Sequence, residues 1–431
     1  MKYTPLPPSL YIKNRSRLAA LLENNCMAVF HSNDIIPTNA DGTMGFRQNS
    51  DLQYLTGIDQ EESILLIFPD TQWKGHKEVL FVRETNEHLA TWEGHKFTLS
   101  EAREISGIEK VYYTQQFDSV FNTLMCEANG LYVNTNEHTR AKVEVETRDA
   151  RNIRMYKEKY PAHRLHRAAP LMHQLRAIKM PEELEAMKQA CAITRKGFLR
   201  SLAFIKPGVM EYEIEAELIH EFIRNRSNGF AYGPIIASGK NACVLHYTQN
   251  NQACRDGEVI LMDVAAEYAN YASDLTRAVP VNGRFTPRQK AVYNAVLHVM
   301  KQAIQMLVVG NTWDDYHAEV GKIMENELLC LGLISKEDIE KQNPDWPAYK
   351  KYFMHGTSHF LGLDVHDVGS KYRKFEEGMV FTCEPGIYIP QENLGIRLEN
   401  NILITSKGPI DLMADIPLEA DEIESLMQEQ K

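Results

Sequence analysis

The chain has 431 residues, of which 44% are hydrophobic and 24% charged, and its formal net charge is −11. This length exceeds what one ordinary core holds, so we expect two domains of a soluble globular protein. The acidic balance argues against nucleic acid or an anionic membrane surface as the main partner. The first residues contain no apolar signal core, and no run of about 18 apolar residues predicts a membrane span.

The cysteines are odd in number, scattered along the chain and never arranged as Cys-x-x-Cys. This pattern favours reduced thiols in a cytoplasmic protein over a disulfide framework or a structural zinc site. The seven are Cys26, Cys126, Cys191, Cys243, Cys254, Cys330 and Cys383.

The N-terminal part alternates short apolar runs with helical patterns, which is typical of an α/β layer. Residues 27–30, 63–68, 79–82 and 131–133 are predicted to form buried strands. Residues 46–57 are predicted to be a structural loop or strand entry without a catalytic role. The polar residues 148–166 suggest a boundary, and we place the two domains at 1–172 and 173–431.

Two helix pairs are predicted in the second domain. Pro181 suits the first position of a helix, and a second helix is predicted over 212–224. Pro287 opens a similar pair about one hundred residues later, and an offset of 102 places Gly208 on Gly310. We interpret this as a weak internal duplication, although chance periodicity of amphipathic helices explains it nearly as well.

A pair of aspartates follows the first helix pair. In a tight hairpin centred near residues 268–269, Asp263 and Asp274 would lie opposite each other, with Cβ atoms about 4.5–5.5 Å apart. Two bare carboxylates at that distance repel each other, and a cation between them would remove the repulsion. The alternative is that one aspartate belongs to a turn and the other faces solvent.

A pair of glutamates follows the second helix pair. Glu384 ends the apolar run 379–383, and Glu399 interrupts the run 395–404. Strand alternation would place Arg397 beside Glu399 on one face. Four half-buried carboxylates and a histidine form a mostly oxygen-donor set, which suits two divalent ions and favours manganese over a cysteine-type zinc site.

Residues 354–369 contain three histidines, His355, His359 and His366. The first two have the spacing of a His-Glu-x-x-His helix, but Gly356 replaces the glutamate and the neighbouring residues are poor helix formers. In a strand or loop, spacing does not rank the three histidines, and any of them could be structural.

These motifs together resemble the aminopeptidase P and prolidase family of dinuclear metallopeptidases. The resemblance covers residues 175–425, and the stretch 46–57 extends it and favours aminopeptidase P. It implies a mixed α/β (α+β) fold class, with an N-terminal α/β domain for substrate access and oligomer contacts before a pseudo-symmetric pita-bread domain. The motifs are Asp263, Asp274, residues 355–367, residues 382–386 and Ile396-Arg397-Leu398-Glu399.

The resemblance also implies a role for each candidate residue. His246 and His366 match substrate-binding and transition-state histidines, His355 supports the site, Arg397 holds a nearby carboxylate and Glu384 transfers the proton. The sequence departs from the family pattern in two places, so the resemblance does not define the details of the substrate pocket. Asn400 stands where an acidic residue is frequent, and the link from Glu384 to Glu399 is short. The implied ligands of two divalent ions, with Mn²⁺ favoured, are Asp263, Asp274, His359, Glu384 and Glu399.

The function implied by the resemblance is that of a Xaa-Pro aminopeptidase acting on peptides with proline second. A Xaa-Pro dipeptidase (prolidase) has the same ligands and is the nearest alternative. A non-catalytic pita-bread binding protein or a metal-free creatinase-type hydrolase is disfavoured because all five ligand positions are intact. We expect a cytoplasmic homo-oligomer, a dimer or tetramer, without nucleic-acid or membrane partners.

Overall fold

The computed structural model describes residues 2–429, which form two compact units. The first unit runs from Tyr3 to Arg176 and the second from Ala177 onward, so residues 148–166 lie inside the first unit. No helix in the described part of the chain is long and apolar enough to cross a membrane.

The first unit is built on one mixed sheet of six strands in the order β4-β3-β2-β1-β5-β6. Strands β1, β5 and β6 are mutually parallel, whereas β2 is antiparallel to both of its neighbours. Its elements are α1 (Pro8–Ala19), β1 (Cys26–His31), α2 (Ser50–Thr56), β2 (Ile64–Ile67), β3 (Glu78–Val82), α3 (Glu87–Glu93), α4 (Leu99–Ser106), β4 (Lys110–Tyr113), α5 (Phe117–Met125), β5 (Gly130–Val133), α6 (Arg148–Lys159), β6 (Arg164–Arg167) and α7 (Ala169–Ala177).

The four strands predicted in the first unit are confirmed as β1, β2, β3 and β5. The prediction of a loop over 46–57 is wrong, because helix α2 occupies most of it. The side chain of Asn49 accepts hydrogen bonds from the first backbone amides of α2, and Gly57 ends the helix in the left-handed conformation. Both are ordinary helix-capping signals, and the polar composition of the stretch obscured them.

The second unit contains two long helix pairs, each followed by β-hairpins. Antiparallel sheets of order β11-β8-β7 and β12-β15-β16 and the pairs β9-β10 and β13-β14 carry the strands. The elements are α8 (Pro181–Phe204), α9 (Glu211–Arg224), β7 (Ile235–Ser238), β8 (Val259–Asp263), β9 (Glu267–Tyr268), β10 (Tyr271–Ala272), β11 (Thr276–Pro280), α10 (Pro287–Met306), α11 (Trp313–Cys330), α12 (Lys336–Glu340), β12 (Val380–Cys383), β13 (Gly386–Ile389), β14 (Leu394–Arg397), β15 (Asn400–Thr405), β16 (Gly408–Asp411) and α13 (Ala420–Glu429).

The two helix pairs begin in the same way. Pro181 and Pro287 occupy the first positions of α8 and α10, as predicted. Gly208 and Gly310 precede α9 and α11 with φ values of 97° and 91°. The residues matched by the offset of 102 are all buried, which gives the two pairs equivalent core faces: Ile214, Leu218, Phe222, Tyr316, Val320 and Met324.

Candidate metal centre

The first hairpin of the second unit carries both aspartates, but in a different register from the predicted one. Asp263 ends β8 and pairs with Thr276, so the prediction that it faces Asp274 directly is wrong. The turn is centred on Ala269 and Asn270, whose φ values of 53° and 65° are those of a two-residue hairpin turn. Asp274 precedes Thr276 by two residues, and its carboxylate still repels that of Asp263.

The two glutamates lie where the antiparallel ladder between residues 380–389 and 394–403 is interrupted. Glu384 separates β12 from β13, and Glu399 separates β14 from β15. The run 395–404 is therefore two strands rather than the single predicted one, because Pro385 interrupts the opposing chain and has no N–H for the ladder. At this junction the Glu399 amide donates to Thr276 O (3.0 Å), and the Thr276 hydroxyl donates to Glu399 Oε2 (2.6 Å).

The histidine segment connects the two hairpins. The His359 amide donates to Thr382 Oγ1 (3.1 Å), while the Thr382 amide donates to His359 O (3.0 Å). On the other side, the Ala272 amide of the first hairpin donates to Gly362 O (2.7 Å). These backbone contacts fix His359 between the aspartate pair and the glutamate pair.

The hydrogen bonds of His359 fix the orientation and tautomer of its imidazole. Its Nδ1 lies 2.9 Å from Phe360 O, an acceptor, so Nδ1 carries a proton. The opposite nitrogen, Nε2, lies 3.4 Å from Asp274 Oδ2 and 3.6 Å from Glu384 Oε1. An imidazole oriented through Nδ1–H with Nε2 among carboxylates is the usual arrangement of a metal-binding histidine.

Three of the predicted ligands already lie within metal-binding reach of one another. One donor atom each from Asp274, His359 and Glu399 lies within 4.8 Å of the others, and all three residues are buried. Glu384 borders this group through His359. The Asp263 carboxylate is oriented by Arg397, whose Nη2 donates to Oδ2 at 2.5 Å.

The electrostatics of the cluster fit a cationic occupant. Burial raises the pKa of Glu384 to about 7 and the pKa of Glu399 well above its ordinary value. Repulsion from the Asp274 carboxylate adds to both shifts. Burial opposes charging of His359, but the Asp274 and Glu384 carboxylates raise its pKa. Neither Asp263 Oδ1 nor the Tyr232 hydroxyl that faces this carboxylate has a well-aligned hydrogen-bond partner among the described residues. Divalent cations would satisfy this oxygen and the crowded carboxylates.

Arg397 links the two hairpins through its hydrogen bonds. It is buried, and besides Asp263 it donates from Nε to Thr276 Oγ1 (3.1 Å) and from Nη1 to the Tyr388 hydroxyl (2.9 Å). The same hydroxyl lies 2.7 Å from His355 Nε2. A single guanidinium therefore orders an aspartate, a threonine that binds Glu399, and a tyrosine that holds His355.

The remaining predicted histidines border the cluster. His366 is exposed, and its ring centroid lies 4.4 Å from that of His359 in an edge-on arrangement. His355 Nδ1 lies 3.8 Å from Glu384 Oε2, and burial with Arg397 nearby lowers the pKa of His355 to about 3. His246 is exposed and close enough to His355 to contribute to that lowering of the pKa.

Sequence reasoning missed three residues that organise the site: Thr276, Tyr388 and Thr382. Strand alternation offered a signal for each. Thr276 lies two residues after Asp274, Tyr388 four after Glu384 and Thr382 two before it. Along an extended chain such spacings place side chains on one face.

The fold and the carboxylate-histidine cluster define a metallopeptidase. Residues 185–406 match the model of metallopeptidase family M24, and residues 11–132 match that of the aminopeptidase P N-terminal domain. The chain belongs to metallopeptidase family M24, and the family predicted from its motifs is confirmed.

Similar proteins cover nearly the whole chain. The Xaa-Pro aminopeptidases of Haemophilus influenzae and Escherichia coli are 35% and 33% identical to it, with 98% and 96% of each chain covered. Among solved structures, aminopeptidase PepP from Pseudomonas aeruginosa superposes with a TM-score of 0.89 at 31% identity, covering 99% of both chains. Zinc-substituted E. coli aminopeptidase P in complex with product superposes with a TM-score of 0.87 at 30% identity, covering 99% of this chain and all of that one. The predicted pita-bread fold is confirmed.

Proposed function

We propose that the protein is a Xaa-Pro aminopeptidase, which hydrolyses the first peptide bond of substrates with proline in second position. The observation that carries this function is the meeting of three carboxylates at His359. Its Nε2 lies 3.4 Å from Asp274 Oδ2 and 3.6 Å from Glu384 Oε1, and Glu399 completes a buried group of metal-binding donors with Asp274 and His359. The near-complete coverage by relatives named Xaa-Pro aminopeptidase supports the substrate class.

Divalent metal ions are part of this function, and the residues present fit them. The proposed ligands of two ions are Asp263, Asp274, His359, Glu384 and Glu399. Their oxygen-rich donor set favours Mn²⁺ over softer metals, although a related enzyme has been solved with zinc. With both ions bound, the site gains Lewis-acid activation of the scissile carbonyl and of the attacking water.

Glu384 is the proposed proton carrier. Its carboxylate lies 3.6 Å from His359 Nε2 at the edge of the cluster, where it can take a proton from the attacking water and release it again. The Thr382 hydroxyl, which donates to Glu384 Oε1 at 3.4 Å, orients it. We propose that Glu384 delivers this proton to the proline nitrogen, which must leave as an amine.

The histidines and Arg397 complete the proposed machinery. We propose that His246 and His366, both exposed, donate to the developing oxyanion or bind the proline-side residues. His355 and Arg397 both contact the Tyr388 hydroxyl, and we propose that they support the site and do not react with the substrate. Because the proline amide has no N–H and a fixed φ, peptidases that bind extended backbones handle it poorly, and a dedicated site is required.

A comparison of three peptides tests this function. With Mn²⁺ present, a Xaa-Pro-Xaa tripeptide should lose its first residue, a Xaa-Pro dipeptide should react at least about tenfold more slowly, and a Xaa-Ala-Xaa tripeptide should be a poor substrate. Preference for the dipeptide would identify a prolidase instead. Failure to cleave any of them with metal bound would favour a non-catalytic binding protein. A cytoplasmic location and a dimer or tetramer remain predictions.

A further inference from the structure

The six-stranded sheet of the first unit carries a second cluster of metal-binding side chains. Cys26 begins β1 and His166 lies in β6, and these strands flank β5. The parallel register aligns Cys26 with Gly130, and Tyr132 with His166. Cys26 and His166 therefore lie on one face of the sheet, separated by the width of a strand.

Gly130 allows the two side chains to meet over the intervening strand. A Cβ atom at this position would lie 2.8 Å from His166 Nε2 and 3.0 Å from Cys26 Sγ. Without it, the His166 ring stacks on Tyr132 at a centroid distance of 4.7 Å and brings Nε2 to 3.9 Å from Cys26 Sγ. The glycine thus creates the space in which thiol and imidazole approach each other.

Glu23 supplies a third donor from the turn that precedes β1. Its Oε1 lies 3.4 Å from His166 Nδ1, and one donor atom from each of Glu23, Cys26 and His166 lies within 4.8 Å of the others. Cys26 is buried, whereas the Glu23 side chain is 62% exposed and can adjust. The three residues line a cavity of about 370 Å³ together with two asparagines and Arg164.

We propose that Glu23, Cys26 and His166 bind a zinc ion, with the fourth position open to the cavity. Zinc prefers such mixed sulfur, nitrogen and oxygen ligands, at about 2.0–2.3 Å in a tetrahedral arrangement. Tetrahedral ligands at those lengths lie about 3.3–3.8 Å apart, so the 3.9 Å between Cys26 Sγ and His166 Nε2 needs little adjustment. An ion bound to Nε2 requires the exposed Glu23 carboxylate, which now lies beside Nδ1, to turn toward the thiol. The thiolate ligand distinguishes this site chemically from the metal centre of the second unit, whose ligands are mostly oxygen atoms.

Binding would remove the proton from the thiol. Burial, followed by the Glu23 carboxylate, raises the pKa of Cys26, and Arg164 lowers it by a smaller amount. The metal-free thiol is therefore protonated near neutral pH. On binding, the sulfur donates its electron pair to the cation and the proton passes to solvent.

Cobalt substitution in the full-length protein tests this site. Cobalt bound by a thiolate gives a near-ultraviolet charge-transfer band, which oxygen and imidazole ligands do not. We expect the band in the wild-type protein, its displacement by Zn²⁺, and at least a tenfold loss of intensity in Cys26→Ser. Gly130→Ala should lose it too, because the added methyl group fills the space while all three donors remain. Cys126→Ser is the matched control, since Cys126 is an exposed cysteine of the same unit and its band should persist.

Two results would overturn the proposal: absence of the band from cobalt-loaded wild-type protein, or its survival in Cys26→Ser. If the variants do not fold, X-ray absorption by the zinc-loaded wild-type protein decides. A sulfur shell near 2.3 Å supports the site, and a shell of only oxygen and nitrogen contradicts it.

Discussion

A single hydrogen bond of His359 sets the orientation of its imidazole in the candidate metal centre. Donation from Nδ1 to Phe360 O turns the Nε2 lone pair toward Asp274 and Glu384. The Thr382 amide of β12 donates to His359 O, so the position of this ring depends on the sheet. The sequence could not rank this histidine against His355 and His366, since the choice depends on which residue pairs with strand β12.

Glu384→Gln tests the proposed proton transfer. The amide keeps the size of the side chain but cannot carry the proton, so kcat/KM for a Xaa-Pro-Xaa peptide should fall by about 10²–10⁴-fold. Circular dichroism should show a folded protein. Glu337→Gln, at an exposed pair with Lys341, is the control and should retain full activity. Wild-type rates in Glu384→Gln would refute the role.

At the scale of elements, strand identity was predictable and register was not. The apolar runs beside each carboxylate identified the strands, because burial dictates their composition. The partner of Asp263 depends on where the turn lies. The left-handed residues Ala269 and Asn270 centre the turn one residue later than predicted, so Asp263 pairs with Thr276. Likewise, Pro385 splits the second hairpin at Glu384 and Glu399, an effect of pairing that a single strand's sequence does not reveal.

The first residue of helix α9, Glu211, anchors the segment that carries His246. Glu211 is fully buried and accepts from Ser238 N (2.8 Å) and Asn241 Nδ2 (3.1 Å) through Oε1. Its Oε2 accepts from the Tyr247 hydroxyl (2.7 Å) and from Gln252 N (2.9 Å). All four donors belong to residues 238–252, which include the proposed substrate-side histidine.

Glu211→Gln should disturb this segment. Its amide group replaces one acceptor oxygen, so one buried and one partly buried donor lose their partner, at a cost of about 1–3 kcal/mol in the free energy of unfolding. We also expect a drop in kcat/KM with unchanged metal content, because His246 lies outside the ligand set. Urea unfolding, steady-state kinetics and metal analysis measure the three effects. Glu217→Gln, a partly exposed position of the same helix, is the control. A loss of bound metal in Glu211→Gln would contradict the positioning role.

At the scale of the whole molecule, the sequence predicted two domains, their classes and the duplicated helix pairs. Hydrophobic periodicity and helix capping depend on neighbouring residues in the chain, so they can be recognised from the sequence alone. The cluster of Cys26 and His166 was not predictable in this way. The two residues lie 140 positions apart and meet only because Gly130 leaves space on the strand between them.

His31 destabilises the first unit in acid, and Asp149, whose pKa burial raises to about 7, acts in the opposite direction. This histidine is buried against the Tyr156 hydroxyl (2.7 Å), and burial, with a smaller contribution from Arg148, lowers its pKa to about 3. Between about pH 3 and 6.5 the unfolded chain binds more protons here, so the contribution of His31 to stability is complete above about pH 6.5 and falls as the pH decreases. This group contributes a slope of up to about 1.4 kcal/mol per pH unit.

Urea unfolding of the first unit, followed across that pH range, measures the slope. His31→Gln should lower it, whereas His88→Gln, at an exposed position of α3, should leave it unchanged. Equal slopes for wild type and His31→Gln would show that another group controls acid unfolding.

The central claim is that one carboxylate-histidine cluster, with two divalent ions, carries out Xaa-Pro hydrolysis. Titration of chelator-treated, full-length protein with Mn²⁺, monitored by tripeptide cleavage, tests it most directly. We expect negligible activity without metal and activity that saturates as about two ions bind to the cluster. Full activity in the metal-free protein, or none after the cluster is filled, would contradict it.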